Sequence, residues 1–317
     1  MKYLFRSLSY TFLMLFLISL ISFGAMHAAP NSFMGSELNP NMTPENIAHL
    51  KAIYGLDKPL AQQYGDWVSN LVRLDFGISL SSGENVSSVV MDRLPVTLWM
   101  NSVALVVTFI LSLYLGIKAA LKQGQKTDHA VSQMSLVSFA MPSYYLALVL
   151  MMGLSVTLGW FPIAGMHSLE PPSGLGYYVD MAWHLTLPVG VMILTGVGSL
   201  TLYVRSLVIE ILKSDYVGYA KSRGLTQKQI VRFYILPNLL PPIVTMLGLS
   251  LPGLIGGSVI LESIFGIEGM GQLFYLSAMS RDYTVIMGIL MMGAFLTLIG
   301  NQIADAVLLK LNPFVKK

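Results

Sequence analysis

DYVGYAKSRGLTQKQIVRFYILPN, residues 215–238, is a polar passage in an otherwise apolar chain. It belongs to a loop, 205–238, that carries Arg205, Lys213, Lys221, Arg223, Lys228 and Arg232 between two uncharged apolar runs. The pattern predicts a short helix with a defined exit. Asp215 suits an N-cap, Ala220 gives the helix a small face, and Gly224 suits a left-handed stop. Leu236 and Pro237 then mark the return to apolar sequence. A short helix held at a membrane surface by two spans is suited to docking a soluble partner.

The rest of the chain sets that loop in a membrane. Of 317 residues, 54% are hydrophobic and 11% charged, with mean hydropathy +0.66. Soluble domains carry about 25% charged residues. Six uncharged runs reach the length of about 20 residues that a helix needs to cross a bilayer. They fall at 8–29, 96–117, 131–158, 185–204, 239–261 and 283–304. The expected fold is therefore an all-α polytopic membrane protein with six transmembrane helices. The first run follows Lys2 and Arg6, but it exceeds the apolar core of about 7–15 residues of a signal peptide. It reads as a retained anchor. The chain then divides into an anchor at 1–29, an extracytoplasmic segment at 30–95, and a core of five spans at 96–317. Within 30–95 a helical pattern runs from Leu60 to Leu74 among turn signals such as Pro40, Pro44 and Gly55.

Lys and Arg orient the spans. With both termini inside, fourteen of the nineteen basic residues fall on the cytoplasmic side and five outside. That asymmetry fits the positive-inside rule and places 205–238 in the cytoplasm.

Several chemistries are excluded by what the sequence lacks. There is no cysteine, no phosphate-binding GxxxxGK[ST], no HExxH and no His/Cys cluster. The chain is not expected to be an enzyme or to hold a cofactor or metal. A transporter without its own fuel is passive, uses an ion gradient, or borrows a motor. Ion-coupled carriers and channels place ionisable groups mid-membrane, and the centres of these runs lack them. A membrane scaffold without solute flux is a further alternative.

Within the run 239–261, Pro241, Pro242 and Pro252 accompany Gly248, Gly253, Gly256 and Gly257. Gly253 and Gly257 form a GxxxG pair that permits close helix approach. With the prolines it predicts a bent helix packed against protein. Glu262 follows at the outer face, either as a carboxylate in water, the favoured reading, or as an acid at an outer gate. His184 beside Trp183 reads as an interfacial anchor, Asp305 as an acid near the inner end of the last run, and the twenty methionines as flexible filler.

The loop resembles the EAA loop of ATP-binding-cassette importer permeases. Gly218, Tyr219 and Ala220 take the EAA positions, Gly224 matches the glycine, and Tyr234, Leu236 and Pro237 align with the I-x-L-P ending. GLDKPLAQQYGDW (55–67), LDFGIS (74–79), RLPVTL (93–98), GWFPIAG (159–165), HLTLP (184–188), ESIFGIEGMG (262–271) and RDYTVI (281–286) extend the likeness along nearly the whole chain. They resemble the dipeptide/oligopeptide/nickel permease family, with Glu268 standing where that family has Pro. The resemblance implies the type I ABC importer permease fold and an inner-membrane location. It implies a second homologous permease, two cytoplasmic ATP-binding subunits and an extracytoplasmic solute-binding protein as partners. Asp215, Tyr219, Ala220, Lys221, Gly224, Leu236 and Pro237 would form the ATPase-coupling element. Gly253, Gly256, Gly257 and Glu262 would lie on the pathway. Nickel, a metal chelate or a short peptide fits as substrate, and LDFGIS, LIGGSVILESIF and RDYTVI lean towards the nickel-type branch.

Overall fold

The computed structural model describes the backbone of residues 2–28, 58–79, 81–251 and 253–311. The turn signals Pro40, Pro44 and Gly55 and the side chain of Asp305 lie outside the described residues. Regular structure among the described residues is helical, apart from one isolated bridge between Ile78 and Asn85. Four helices are long and apolar enough to cross a membrane, and up to six spans result if each of two bent helix pairs is one span. The expected all-α polytopic architecture is present.

The chain forms two compact units. The first comprises Met1–Leu94 and Leu273–Leu298. Its helix α1, Lys2–Ala28, is joined to α2, Leu60–Val72, by side chains that the apolar run alone would not announce. Ser19 Oγ lies 2.8 Å from the Tyr64 hydroxyl, and His27 Nε2 lies 3.0 Å from Gln63 Oε1. The Phe23 ring meets Tyr64 edge-on at 5.3 Å and Trp67 at 6.0 Å. A cavity of about 700 Å³ in this unit is lined almost wholly by apolar side chains, among them Phe12, Phe16, Phe76, Met291 and Phe295.

Asp282 is the polar centre of the same unit. Its Oδ2 accepts from Ser79 Oγ at 2.6 Å, Ser81 Oγ at 2.8 Å and Ser81 N at 3.1 Å. Its Oδ1 accepts from Val285 N at 3.2 Å, one of the orphan donors at the start of the last helix, Tyr283–Leu311. Burial pushes this carboxyl up, but the serine and backbone donors outweigh burial and hold it below the usual aspartate range.

The second unit comprises Pro95–Gln272 and Ile299–Lys317. Helix α3, Val86–Leu121, runs through the unit boundary. The run 131–158, expected as one span, is a bent pair: α4, Lys126–Ala140, and α5, Ser143–Leu150, which continues as a π-helix over Met151–Thr157. The two halves meet at 100°. Pro142 forces the bend, because it has no N–H and drives Met141 out of the helical region to φ −81°, ψ 122°. Helix α6, Leu175–Leu212, is followed by α7, Asp215–Ser222, and α8, Gln227–Ser250.

Close helix approach occurs where α6 crosses its neighbours. A Cβ on Gly198 would stand 2.3 Å from Ser135 O, and one on Gly116 would stand 2.6 Å from Val204 Cγ1. Ser138 donates to the Leu194 carbonyl beside the first crossing. Two apolar clusters fill this unit. One gathers Met100, Leu185, Val191, Leu261 and Ile267, and the other Val204, Val208, Val217, Ile235 and Leu239.

Candidate functional site

Helix α7 forms where the sequence pattern places it, with one shift at its start. Ser214 occupies the N-cap position at φ −70°, ψ 149°, and Asp215 is the first helical residue. The Ser214 hydroxyl donates to Ile211 O at 2.5 Å, tying the turn to the end of α6. An acidic side chain in the first turn suits the helix's positive end. Val217 and Ala220 are buried, and α7 grips the second cluster through the β-branched Val217. Tyr216 and Tyr219 face outward at 43% and 74% exposure, and Lys221 is also exposed.

The exit of α7 is built on Gly224. At φ +80° it takes a conformation that costs a Cβ-bearing residue roughly 1–2 kcal/mol. That turn lets Leu225 N reach Ala220 O at 3.2 Å. Thr226 then opens α8, its N–H and hydroxyl both donating to Gln229 Oε1 at 2.8 and 2.9 Å. Leu236 and Pro237 do not start the next span; they lie inside it. The helix begins at Gln227 and widens to a π-turn over Val231–Ile235 before its α-helical part, Leu236–Ser250. Pro237, Pro241 and Pro242 remove three N–H donors just beyond, and a widened turn is a common way to accommodate such a gap. Arg205 is no free loop charge. It sits on α6 and pairs with Asp128 through Nε and through Nη2 at 2.8 Å, while Asp128 Oδ2 also accepts from Gly124 N at 2.9 Å.

The run 239–261 is also not one helix. α8 ends at Ser250, a single turn spans Gly253–Gly256, and α9, Val259–Phe265, follows. Gly253 and Gly257 therefore do not share a helical face. Among the described residues, nothing lies within 4 Å of a Cβ built on Gly253 or Gly256, and no close approach forms there. Gly257 is left-handed at φ +64°, and a Cβ there would stand 2.6 Å from Glu262 Oε1.

Glu262 is fully buried rather than in water. The chain after α9 forms a further helix, α10, Met270–Met279. Gln272 N donates to Glu262 Oε2 at 3.0 Å, and Thr97 Oγ1 donates to Oε1 at 3.3 Å. Thr97 Oγ1 in turn accepts from Met270 N at 2.8 Å. Gly269 fits because a Cβ would stand 2.5 Å from both Glu262 Oε2 and Thr97 Oγ1.

Thr97 opens a polar stripe that sequence reading missed. Thr97, Asn101, Thr108 and Ser112 are all buried, and their spacings of four, seven and four put them on one face of α3. Asn101 Nδ2 donates to Leu254 O at 2.8 Å, satisfying a carbonyl freed by the break after α8. Ser112 Oγ donates to Val197 O at 3.2 Å. That spacing was the available signal.

His184 is buried, with Nδ1 2.9 Å from Asp180 O, and Trp183 stacks on Phe161 at 4.9 Å between centroids. Among the described residues, no group of three His, Cys, Asp or Glu side chains converges to hold a metal.

Comparison with known proteins joins these features. The family described as binding-protein-dependent transport system inner membrane component matches residues 112–317, and its N-terminal counterpart matches residues 1–101. The chain is 35% identical over 300 residues to the oligopeptide transport system permease protein AppB of Bacillus subtilis, covering 94% of each. It is 31% identical to the oligopeptide permease protein OppB of Haemophilus influenzae over 100% of this chain and 99% of that one. It is 32% identical to the di/tripeptide permease protein DppB of Pseudomonas aeruginosa, over 94% of each. These relatives are named for peptides, and their names lend no support to the lean towards a nickel-type branch. In fold, the chain resembles the inward-facing MetNI methionine ABC transporter, with a TM-score of 0.53 at 19% identity, over 70% of this chain and 97% of that one. With the family matched across most of its length, the chain belongs to the inner membrane components of binding-protein-dependent transport systems, as an ABC importer permease.

Proposed function

We propose that this permease forms half of a membrane pathway for short peptides, driven by cytoplasmic ATPases that act on α7. The observation that carries the reading is the build of α7 itself. Val217 of its buried face is locked into the apolar cluster that holds α6 and α8, and Ala220 is buried beside it on the same helix, while Tyr216 and Tyr219 stand in the open. A push on the exposed face is transmitted to both spans as a rigid body, which is how a small displacement becomes a change of access. Peptide is favoured as cargo by the names of the relatives. A homologous permease, two ATP-binding subunits and an extracytoplasmic binding protein complete the assembly in this reading.

The test is uptake of labelled trialanine and of radioactive nickel in cells with and without this chain. Trialanine uptake is expected to vanish and nickel uptake to persist; the reverse refutes peptide transport. For coupling, Tyr219→Ala is expected to leave the transporter assembled, lower peptide uptake at least about tenfold, and reduce ATPase stimulation by loaded binding protein in step. Unchanged uptake in Tyr219→Ala and Ala220→Trp together removes the coupling role.

A further inference from the structure

A second cavity, of about 320 Å³, lies in the second unit between α3, α6 and α8. It differs in chemistry from the apolar cavity of the first unit. Four of its thirteen lining residues, Asn101, Thr108, Ser199 and Ser250, carry neutral hydrogen-bonding groups, and none is ionisable. Its volume is at the lower end of the range for small-molecule sites, about 300–1,000 Å³. The rest of the wall is small or pliable, including Gly196, Gly253, Met192 and Met246.

We infer that this cavity is a contact site for the backbone of a peptide in transit, with Ser199, Thr108 and Ser250 as its hydrogen-bonding edge. The inference rests on the reading of the chain as a peptide permease and names where the cargo touches it. The Thr108 and Ser199 hydroxyls make no hydrogen bond among the described residues. Ser250 Oγ donates to Met246 O at 2.8 Å, which leaves its lone pairs to accept. Asn101 donates to Leu254 O, so its carbonyl oxygen also remains an acceptor. Hydroxyls both donate and accept, and so match the alternating N–H and C=O of a peptide whatever its sequence. Methionines adapt to side chains of different shape. The absence of a charge in the wall leaves acidic and basic peptides on equal terms. Lipid is a poor occupant, because hydrocarbon leaves these polar groups unsatisfied. The Asn101–Leu254 bond also places the cavity against the broken segment after α8, so cargo meets the chain where its backbone is least regular.

The chain has no cysteine, which gives a clean readout. Ser199→Cys and Ser250→Cys are made in the full transporter, with Leu169→Cys, fully exposed, as a control. Alkylation by N-ethylmaleimide is timed in membranes with and without trialanine. At a concentration ten times its dissociation constant, trialanine is expected to slow labelling at 199 and 250 by about tenfold and to leave 169 unchanged. As a second variant, Ser199→Asp is expected to raise uptake of lysine-containing over glutamate-containing tripeptides by about tenfold, whereas Leu169→Asp leaves that ratio alone. Equal labelling rates with and without trialanine, or a cysteine at 199 that cross-links to a partner subunit irrespective of cargo, overturns the site. If trialanine uptake needs this chain but neither cysteine is protected, the contact site alone falls. If uptake survives loss of the chain, the peptide-permease reading falls first.

Discussion

The groups that meet the Glu262 carboxylate are neutral, a hydroxyl from Thr97 and an N–H from Gln272. Its removal would strand both donors in a buried site, each at a cost of about 1–3 kcal/mol. Glu262→Ala is therefore expected to lower the melting temperature of the purified transporter more than Glu262→Gln, which keeps a carbonyl acceptor. Equal melting temperatures for both variants and the parent would contradict this. Asp282 makes a different prediction because its carboxyl is held below its ordinary value, 3.8, by serine and backbone donors. A depressed folded value means that its contribution is complete above the ordinary value and is lost as pH falls through the lower folded one. Asp282→Asn should thus destabilise the protein at neutral pH and narrow towards the parent in strong acid. A difference that is constant with pH would show that the charge is immaterial.

At the scale of elements, glycines separate what can be read locally from what cannot. Gly224 was legible because a helix stop needs only its own backbone angle and a neighbouring carbonyl. The bend at Met141-Pro142 depends on an equally local rule, yet the unbroken apolar run concealed it. The Gly253/Gly257 pair carried a motif but not its context, since the helix that would align the two glycines ends at Ser250. Gly198 carried no motif and lies at the closest helix crossing described here. Gly198→Ala is accordingly expected to cost about 1–3 kcal/mol or more through overpacking, and Gly253→Ala to leave fold stability within about 0.5 kcal/mol. Melting curves of the two variants decide between motif and contact. The burial of Glu262 was unreadable for a related reason. It depends on α3 and α10 arriving from 165 positions before and 10 after it.

For the molecule as a whole, composition alone identified a multi-span membrane protein, and the basic residues give it an expected orientation, with 205–238 in the cytoplasm. Orientation is checked in intact cells with the single cysteines Lys221→Cys and Leu169→Cys, both at exposed positions. An impermeant maleimide added outside is expected to label 169 and to reach 221 only after the membrane is opened. Labelling of 221 in intact cells would invert the topology and remove α7 from the reach of any cytoplasmic ATPase.

The buried stripe Thr97, Asn101, Thr108 and Ser112 sets a boundary on how α3 behaves in oil. A uniformly greasy rod is free to roll about its long axis, because every heading has the same energy. A rod with its water-seeking atoms along one flank has a keel, and turning that flank outward exposes it to hydrocarbon. The azimuth of this column is thus fixed by its own sequence before any other subunit arrives.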